Sequence, residues 1–462
     1  MSYYPPFNGY PPVQDPYHSS YPGYPSPAPP MPQGPPQGYP PGPPSGSQSP
    51  YGYPPPSGPP PPQSGYPGPQ STYPGGPPPI PYNSRPGAYQ PASSQSHGGH
   101  TYPDAPFSHP QQPSYPGYGG PPMYLGTPIP HHLVTFYQPP PVQGYQNEVQ
   151  RMRKATKGFG TDNKAVIDIL HPLNAIQMDE FSRAYQATFG TNLIDLMKKE
   201  TSGYFEFGLV GLVQGPLLWD VTLIEKACHG AGTNEILLNE LLLDRTNAEI
   251  SALKGAYERK HRRSLQSTVE GELSLDTKRL FNIALSANRD ESDTGNPNYQ
   301  PDPARVNQDV QTIKNYRGYG DSMLVCNIIL NSNRSHLAAV AQGVLHATKR
   351  TIQRHIQSAF SGHMEQALLY VLDGISTTPG PPPEGKVYGV ERDAGLLVQA
   401  MKGLGTKDEQ LTWRIIRLHW NKPRFEVVKA AFHHKEGKAL VARVKSETSG
   451  NYRDLLCIIV AN

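Results

Sequence analysis

A short loop, Gly-X-Gly, enters an apolar helical pattern four times in the second half of this chain. An internal repeat of this kind constrains the fold more than any local propensity does. The loop reads Lys157-Gly-Phe-Gly-Thr-Asp, His229-Gly-Ala-Gly-Thr-Asn-Glu, Arg317-Gly-Tyr-Gly-Asp and Lys402-Gly-Leu-Gly-Thr-Lys-Asp, with successive first glycines 72, 88 and 85 residues apart. The two longer intervals hold linker-like stretches. One runs from Asp290 to Pro303 and is rich in Asp, Asn and Pro; the other runs from Thr377 to Lys386 and contains Pro379-Gly-Pro-Pro-Pro.

Periodicity inside each unit is helical. After the second loop, Ile236, Leu237, Leu241 and Leu242 share a face, with Thr233 placed as the N-cap. Thr246 to Glu249 reads as a capping box ahead of the Ile250, Leu253, Tyr257 stripe. Phe181, Tyr185 and Phe189 form an i, i+4, i+8 stripe in the first unit, as Ile352, Ile356 and Phe360 do in the third. No long alternating strand pattern competes, so the expected fold class is all-α.

The region before the repeats is different in kind. Pro at 56 and Gly at 45 are in excess, most of that excess lies before about Gln150, and before Glu148 the only charged Asp, Glu, Lys or Arg residues are Asp15, Arg85 and Asp104. Large aliphatics are too few there to offset the cost of ordering the chain. Residues 1–145 are therefore expected to be a disordered Pro/Gly/Tyr-rich tail sampling polyproline II. The remaining boundaries read as repeat 1 at 146–215, repeat 2 at 216–289, a linker at 290–304, repeat 3 at 305–376, a Pro-rich linker at 377–387 and repeat 4 at 388–462.

Net charge is +3, too balanced to argue by bulk charge for nucleic acid or an anionic surface. The start of the chain has neither a basic nor an apolar segment of signal-peptide type. Phe207 to Ile224 is apolar but broken by Gln214, Gly215, Pro216 and Asp220, and reads as buried core helices rather than a span. Cys228, Cys326 and Cys457 are scattered and read as reduced thiols of a cytosolic protein. Trp219, Trp413 and Trp420 read as packing residues, and Lys260-His-Arg-Arg as a solvated face. No nucleophile elbow, HExxH or complete phosphate-binding motif is present, and no enzyme activity is expected.

The chemistry lies in what the loops are coupled to. Glycines let a backbone turn through positive φ and aim several carbonyl oxygens at one point. Calcium takes 6–8 oxygens, and a bidentate carboxylate supplies two. An acid follows at nearly constant distance: Glu200 lies 39 residues after Thr161, Glu272 lies 39 after Thr233, and Glu447 lies 41 after Thr406. The two extra residues are expected in a longer turn around Trp420 to Arg424, marked by Pro423. In the third unit Asp321 stands where Thr is expected and Ala359 where the acid should fall.

This pattern resembles the calcium loop of the annexins, Lys-Gly-X-Gly-Thr followed far downstream by Asp or Glu-Thr-Ser-Gly. The resemblance covers about Val149 to Asn462, and the tail is similar to those of long-tailed annexins. It implies four repeats of about five short helices each, packed into a curved disc with the calcium loops on its convex side. Carried over position by position, it implies three Ca2+ sites. The first takes the carbonyls of Thr156, Gly158 and Gly160 with the Glu200 carboxylate. The second takes those of Cys228, Gly230 and Gly232 with Glu272, and the fourth those of Met401, Gly403 and Gly405 with Glu447. The third site is expected to be absent or much weakened, and the second departs mildly, with Leu273-Ser-Leu in place of Thr-Ser-Gly.

A site with one carboxylate is charge-poor, so calcium and an anionic phospholipid headgroup should bind cooperatively. The expected function is calcium-dependent binding to anionic phospholipid membranes, by a cytoplasmic protein that becomes peripheral when calcium rises. The tail would recruit partners or self-associate. The alternative is a tail-driven scaffold whose helical core binds calcium poorly. Tail partners suggested by composition are small Pro-reading domains; those implied by the resemblance are penta-EF-hand and other small EF-hand proteins. Ion conduction, sometimes claimed for the family, ranks third because nothing here provides a span.

Overall fold

A computed structural model describes residues 120–230, 232–375 and 387–462. The tail reading of residues 1–119 and most of the 377–387 linker lie outside the described residues. Nineteen α-helices are described. The first group comprises α1 (Gln146–Thr156), α2 (Asn163–Leu170), α3 (Ala175–Phe189) and α4 (Leu193–Glu200). A long helix, α5 (Gly203–Cys228), leads into α6 (Glu235–Leu242), α7 (Asn247–His261), α8 (Leu265–Glu272) and α9 (Leu275–Leu285). Then come α10 (Pro303–Asn315), α11 (Ser322–Asn331), α12 (Arg334–Thr348), α13 (Ile352–Ala359) and α14 (Gly362–Leu372). The last group is α15 (Val390–Ala400), α16 (Asp408–His419), α17 (Lys422–Glu436), α18 (Leu440–Glu447) and α19 (Gly450–Ala461).

The α5 helix is two helices in series. Gly215 breaks it with φ 68° and ψ 175°, a conformation closed to most side chains, and Pro216 follows at a helix start. Its first half completes one five-helix unit and its second half opens the next. Among the described residues it is the one helix long and apolar enough to cross a membrane, yet most of it is buried against other helices.

Helix starts follow capping chemistry. The Thr246/Glu249 capping box is formed, and Asn174 with Gln177 makes a second. At the second loop the cap is Asn234, whose side chain accepts from the Leu237 N–H, and not Thr233. The face of α6 is also rotated from the expected one: Ile236 is 42% exposed, while Leu237, Leu238, Leu241 and Leu242 are buried. The two extra residues before Glu447 are not a longer turn. The α16 helix has 12 residues where α2 and α6 have 8, and the turn after it shortens, because Pro423 sits in the first turn of α17.

Part of the segment assigned to the tail is structured. Met123–Tyr124 (β1) pairs antiparallel with Thr127–Pro128 (β2) across a turn in which Leu125 and Gly126 both have positive φ. Tyr124 and Ile129 are fully buried, and the Tyr124 hydroxyl donates to Asp220 at 2.8 Å. The Leu125 N–H donates to Glu249 and its carbonyl accepts from Asn421. The tail boundary at 145 is therefore too late: from Gly120 the chain is held to the helical core by apolar burial and backbone hydrogen bonds.

The stretch read as a linker from Asp290 is likewise packed. Asn333 donates to Asp290, Ser292 and Tyr299, and the Asp290 N–H reaches the Asn331 carbonyl at 2.7 Å. The three tryptophans are buried as read, and Trp413 donates to Glu240. In Lys260-His-Arg-Arg, His261 and Arg263 pair with Glu225 and Lys260 donates to Thr222.

Candidate calcium sites

Each loop begins where a helix ends and closes over seven residues. The Asp162 N–H donates to Ala155, that of Asn234 to Ala227, and that of Lys407 to Ala400, at 2.8–2.9 Å. Between these anchors the glycines take φ of 117° and 84° (Gly158, Gly160), 127° and 102° (Gly230, Gly232), and 110° and 81° (Gly403, Gly405). Such values exclude a side chain and turn successive peptide groups outward. A Cβ added at any of these six would meet nothing within 4 Å, so the loops stand open to solvent. Phe159 and Leu404, at the loop tips, are fully exposed.

The acids are delivered by short helices of equal length. Glu200, Glu272 and Glu447 are each the last residue of an eight-residue helix, and each meets its loop through the threonine. Thr161 Oγ1 donates to Glu200 Oε2 at 3.0 Å, Thr233 Oγ1 to Glu272 Oε2 at 3.2 Å, and Thr406 Oγ1 to Glu447 Oε2 at 2.6 Å. The structure thus brings each acid to the loop it was paired with by spacing. The threonine hydroxyl fixes the carboxylate, a role that spacing signalled without revealing.

The three sites are not equivalent. In the first, the carbonyls of Thr156, Gly158 and Gly160 accept no hydrogen bond among the described residues. In the second, the Gly230 carbonyl already accepts from the Gly232 N–H at 3.1 Å. In the fourth, Arg443 donates to the Met401 carbonyl at 2.6 Å and pairs with Glu447 Oε1 at 3.1 Å. A guanidinium therefore holds two of the oxygens assigned to calcium there. The sequence carried a signal of this, since Arg443 and Glu447 are four apart on one helix.

Hard-cation chemistry suits the donor set: convergent backbone oxygens, one carboxylate per site, and no nitrogen or sulfur ligand. Cys228 contributes only its carbonyl, and burial pushes its thiol up to about 12. Glu200 and Glu447 also line one groove of about 490 Å3 with Ser202, Tyr204, Ser449 and Tyr452. The first and fourth sites thus open onto a shared polar surface; Glu272 stands apart from it. Burial, with Glu447 nearby, raises the Asp408 carboxyl at the edge of this groove.

The third loop differs in length as well as chemistry. Its helix starts four residues after Gly318, whereas the others start five after Gly158, Gly230 and Gly403. Asp321 is the N-cap of α11, accepting from the Met323 N–H, so it corresponds to Asp162. The threonine has not been replaced by Asp321; its position is missing.

The family profile described as Annexin matches residues 147–212, 220–282 and 392–459. Annexin C1 of Cryptococcus neoformans is 42% identical over 382 residues, covering 77% of this chain and 76% of its own length. Human Annexin A4 is 34% identical over 318 residues, 68% of this chain and 93% of its own. Among solved structures, annexin III superposes with a TM-score of 0.61 at 26% identity, covering 70% of this chain and 96% of that one.

Proposed function

The chain belongs to the annexin family, known for calcium-dependent phospholipid binding, and from that premise we propose that it binds anionic phospholipid membranes through its first, second and fourth loops. The proposed ligands are the carbonyls of Thr156, Gly158 and Gly160 with Glu200, of Cys228, Gly230 and Gly232 with Glu272, and of Met401, Gly403 and Gly405 with Glu447. The same reading divides the core into four five-helix units with boundaries near 146–215, 216–289, 305–376 and 388–462, of which the first, second and fourth carry these loops. The observation that supports the reading best is the Thr–Glu hydrogen bond, made at all three acid-bearing loops and placing a carboxylate beside an open glycine turn.

Bound calcium supplies a divalent charge shared between protein oxygens and a lipid phosphate. The loops hold their carbonyls outward, the threonines hold the carboxylates still, and the exposed Phe159 and Leu404 side chains enter the interface beside the headgroups. Each site has too little charge to bind calcium tightly alone, so lipid must raise calcium affinity and calcium must raise lipid affinity by the same factor. Recruitment through the tail, including EF-hand or Pro-reading partners, and residence in the cytoplasm belong to the same proposal.

Calorimetric titration of the full chain with calcium, with and without phosphatidylserine vesicles, tests this directly. The expected outcome is weak binding alone and at least ten-fold tighter binding with vesicles. Equal affinities in the two titrations would contradict the shared-ligand reading.

A further inference from the structure

The third repeat has lost its acid, and its loop has closed. The α13 helix ends at Ala359, and a Cβ on Gly318 would lie 3.1 Å from the Ala359 carbonyl oxygen. With the loop one residue shorter and no carboxylate at the end of α13, the donor set of the other three loops is not assembled there; Asp321, the acid of this loop, caps α11 and lies 3.8 Å from Arg279.

The surroundings of that corner are basic. Arg317 opens the loop, Lys349 and Arg350 precede α13, and Arg354 lies within it; all four are exposed. None of the four forms an ion pair among the described residues. The Arg350 guanidinium lies along α13 toward its end, donating to Ser358 Oγ at 2.8 Å and to the Arg354 carbonyl at 3.3 Å. Arg317 precedes Gly318, which packs beside the Ala359 carbonyl, and its guanidinium donates to the Lys314 and Tyr316 carbonyls, so Arg317 and Arg350 flank the contact between the loop and the end of α13. The arginines of the interior are matched, Arg392 with Asp244, Arg414 with Glu240 and Arg417 with Asp220. Unmatched like charges repel, and an incoming anion relieves that repulsion.

We propose that the third repeat binds the phosphate of an anionic phospholipid headgroup directly, without calcium, through Arg317, Lys349, Arg350 and Arg354, with Tyr319 seated in the interface. Guanidinium groups match phosphate oxygens in charge and in geometry. Tyr319 is 88% exposed at the loop tip, the position that Phe159 and Leu404 hold in the acid-bearing loops. An amphipathic aromatic at that place suits the headgroup layer of a bilayer. The inference rests on the reading that this loop face meets the membrane, and it makes one repeat a calcium-free electrostatic contact beside three calcium-dependent ones.

The test uses the full chain and phosphatidylcholine vesicles containing phosphatidylserine, in EGTA at low ionic strength. The comparison is wild type against Arg317→Gln/Arg350→Gln/Arg354→Gln. A basic residue near such a surface contributes about five-fold in affinity, so the triple variant should bind at least about ten-fold more weakly, and salt should abolish the wild-type binding. Lys349→Gln/Arg354→Gln provides a second variant that removes no side-chain hydrogen bond among the described residues. Identical binding by wild type and both variants, in EGTA and in calcium, would overturn the proposal. So would binding to soluble polyphosphate or RNA but not to vesicles. If calcium adds nothing while the arginine-dependent binding persists, the calcium reading falls and this one stands.

Discussion

At the residue scale, one side chain separates the fourth site from the first. Arg443 pairs with Glu447 and occupies the Met401 carbonyl, so at the proposed fourth site calcium has to displace it; at the first, the exposed Lys199 pairs with Glu200 at 3.5 Å but no side chain holds a loop carbonyl among the described residues. The pair is part-exposed and contributes no more than about 1 kcal/mol, equivalent to about five-fold in affinity. Arg443→Gln should therefore tighten calcium binding at the fourth site by up to about five-fold. Terbium luminescence titration with Glu200 and Glu272 both changed to Gln isolates that site, and an unchanged or weaker affinity would contradict the competition. The Glu–Arg spacing was readable in the sequence. The bond to Met401 was not, because it joins residues 42 apart through the fold.

At the element scale, the Ser-Gly of the downstream motif has a backbone cause. Gly203, Gly362 and Gly450 begin their helices with φ near 60°, and in the second repeat Leu275 must adopt φ 47° at the same place. Left-handed backbone costs a side-chain-bearing residue roughly 1–2 kcal/mol, and Leu275 is 86% exposed, so little packing offsets it. Leu275→Gly should stabilise the protein by about 1 kcal/mol, read as a higher urea midpoint; a lower midpoint would refute the strain. The helices and the Thr246 cap were legible because they rest on local periodicity and capping chemistry. The Asn234 cap, the deletion before Asp321 and the lengthening of α16 were not, since each depends on where a loop's backbone leaves the helix. The 123–128 hairpin was hidden by the Pro- and Gly-dense composition around it, because its stability comes from the burial of Tyr124 against distant helices.

At the scale of the whole molecule, buried charge ties the units together. Asp244, whose side chain is 2% exposed, pairs with Arg289, Arg334 and Arg392, which come from the second interval, the third group and the fourth group of helices. Burial alone would raise this carboxyl, but Arg334, Arg392 and Arg289 outweigh it and hold it well below the usual carboxylate range. A depressed folded pKa gives stability that is complete above the unfolded value of about 3.9 and lost as pH falls below it. Asp244→Asn, which leaves Arg289 and Arg334 without an acid partner and Arg392 with Asp393 alone, should cost about 3–5 kcal/mol at neutral pH. It should also flatten the loss of stability between about pH 5 and pH 3, measured by urea unfolding. A variant with wild-type pH dependence would remove Asp244 from that role. No sequence pattern announced this cluster, because its members lie up to 148 residues apart.

The central claim is that three loop–acid pairs carry calcium-dependent membrane binding. The most direct measurement is co-sedimentation of the full chain with phosphatidylserine vesicles, with calcium and with EGTA, for wild type and for Glu200→Gln/Glu272→Gln/Glu447→Gln. The account predicts that calcium increases pelleting of wild type and that this increase is lost in the triple variant, leaving only the residual EGTA level. A calcium-driven increase that survives the triple substitution would contradict it.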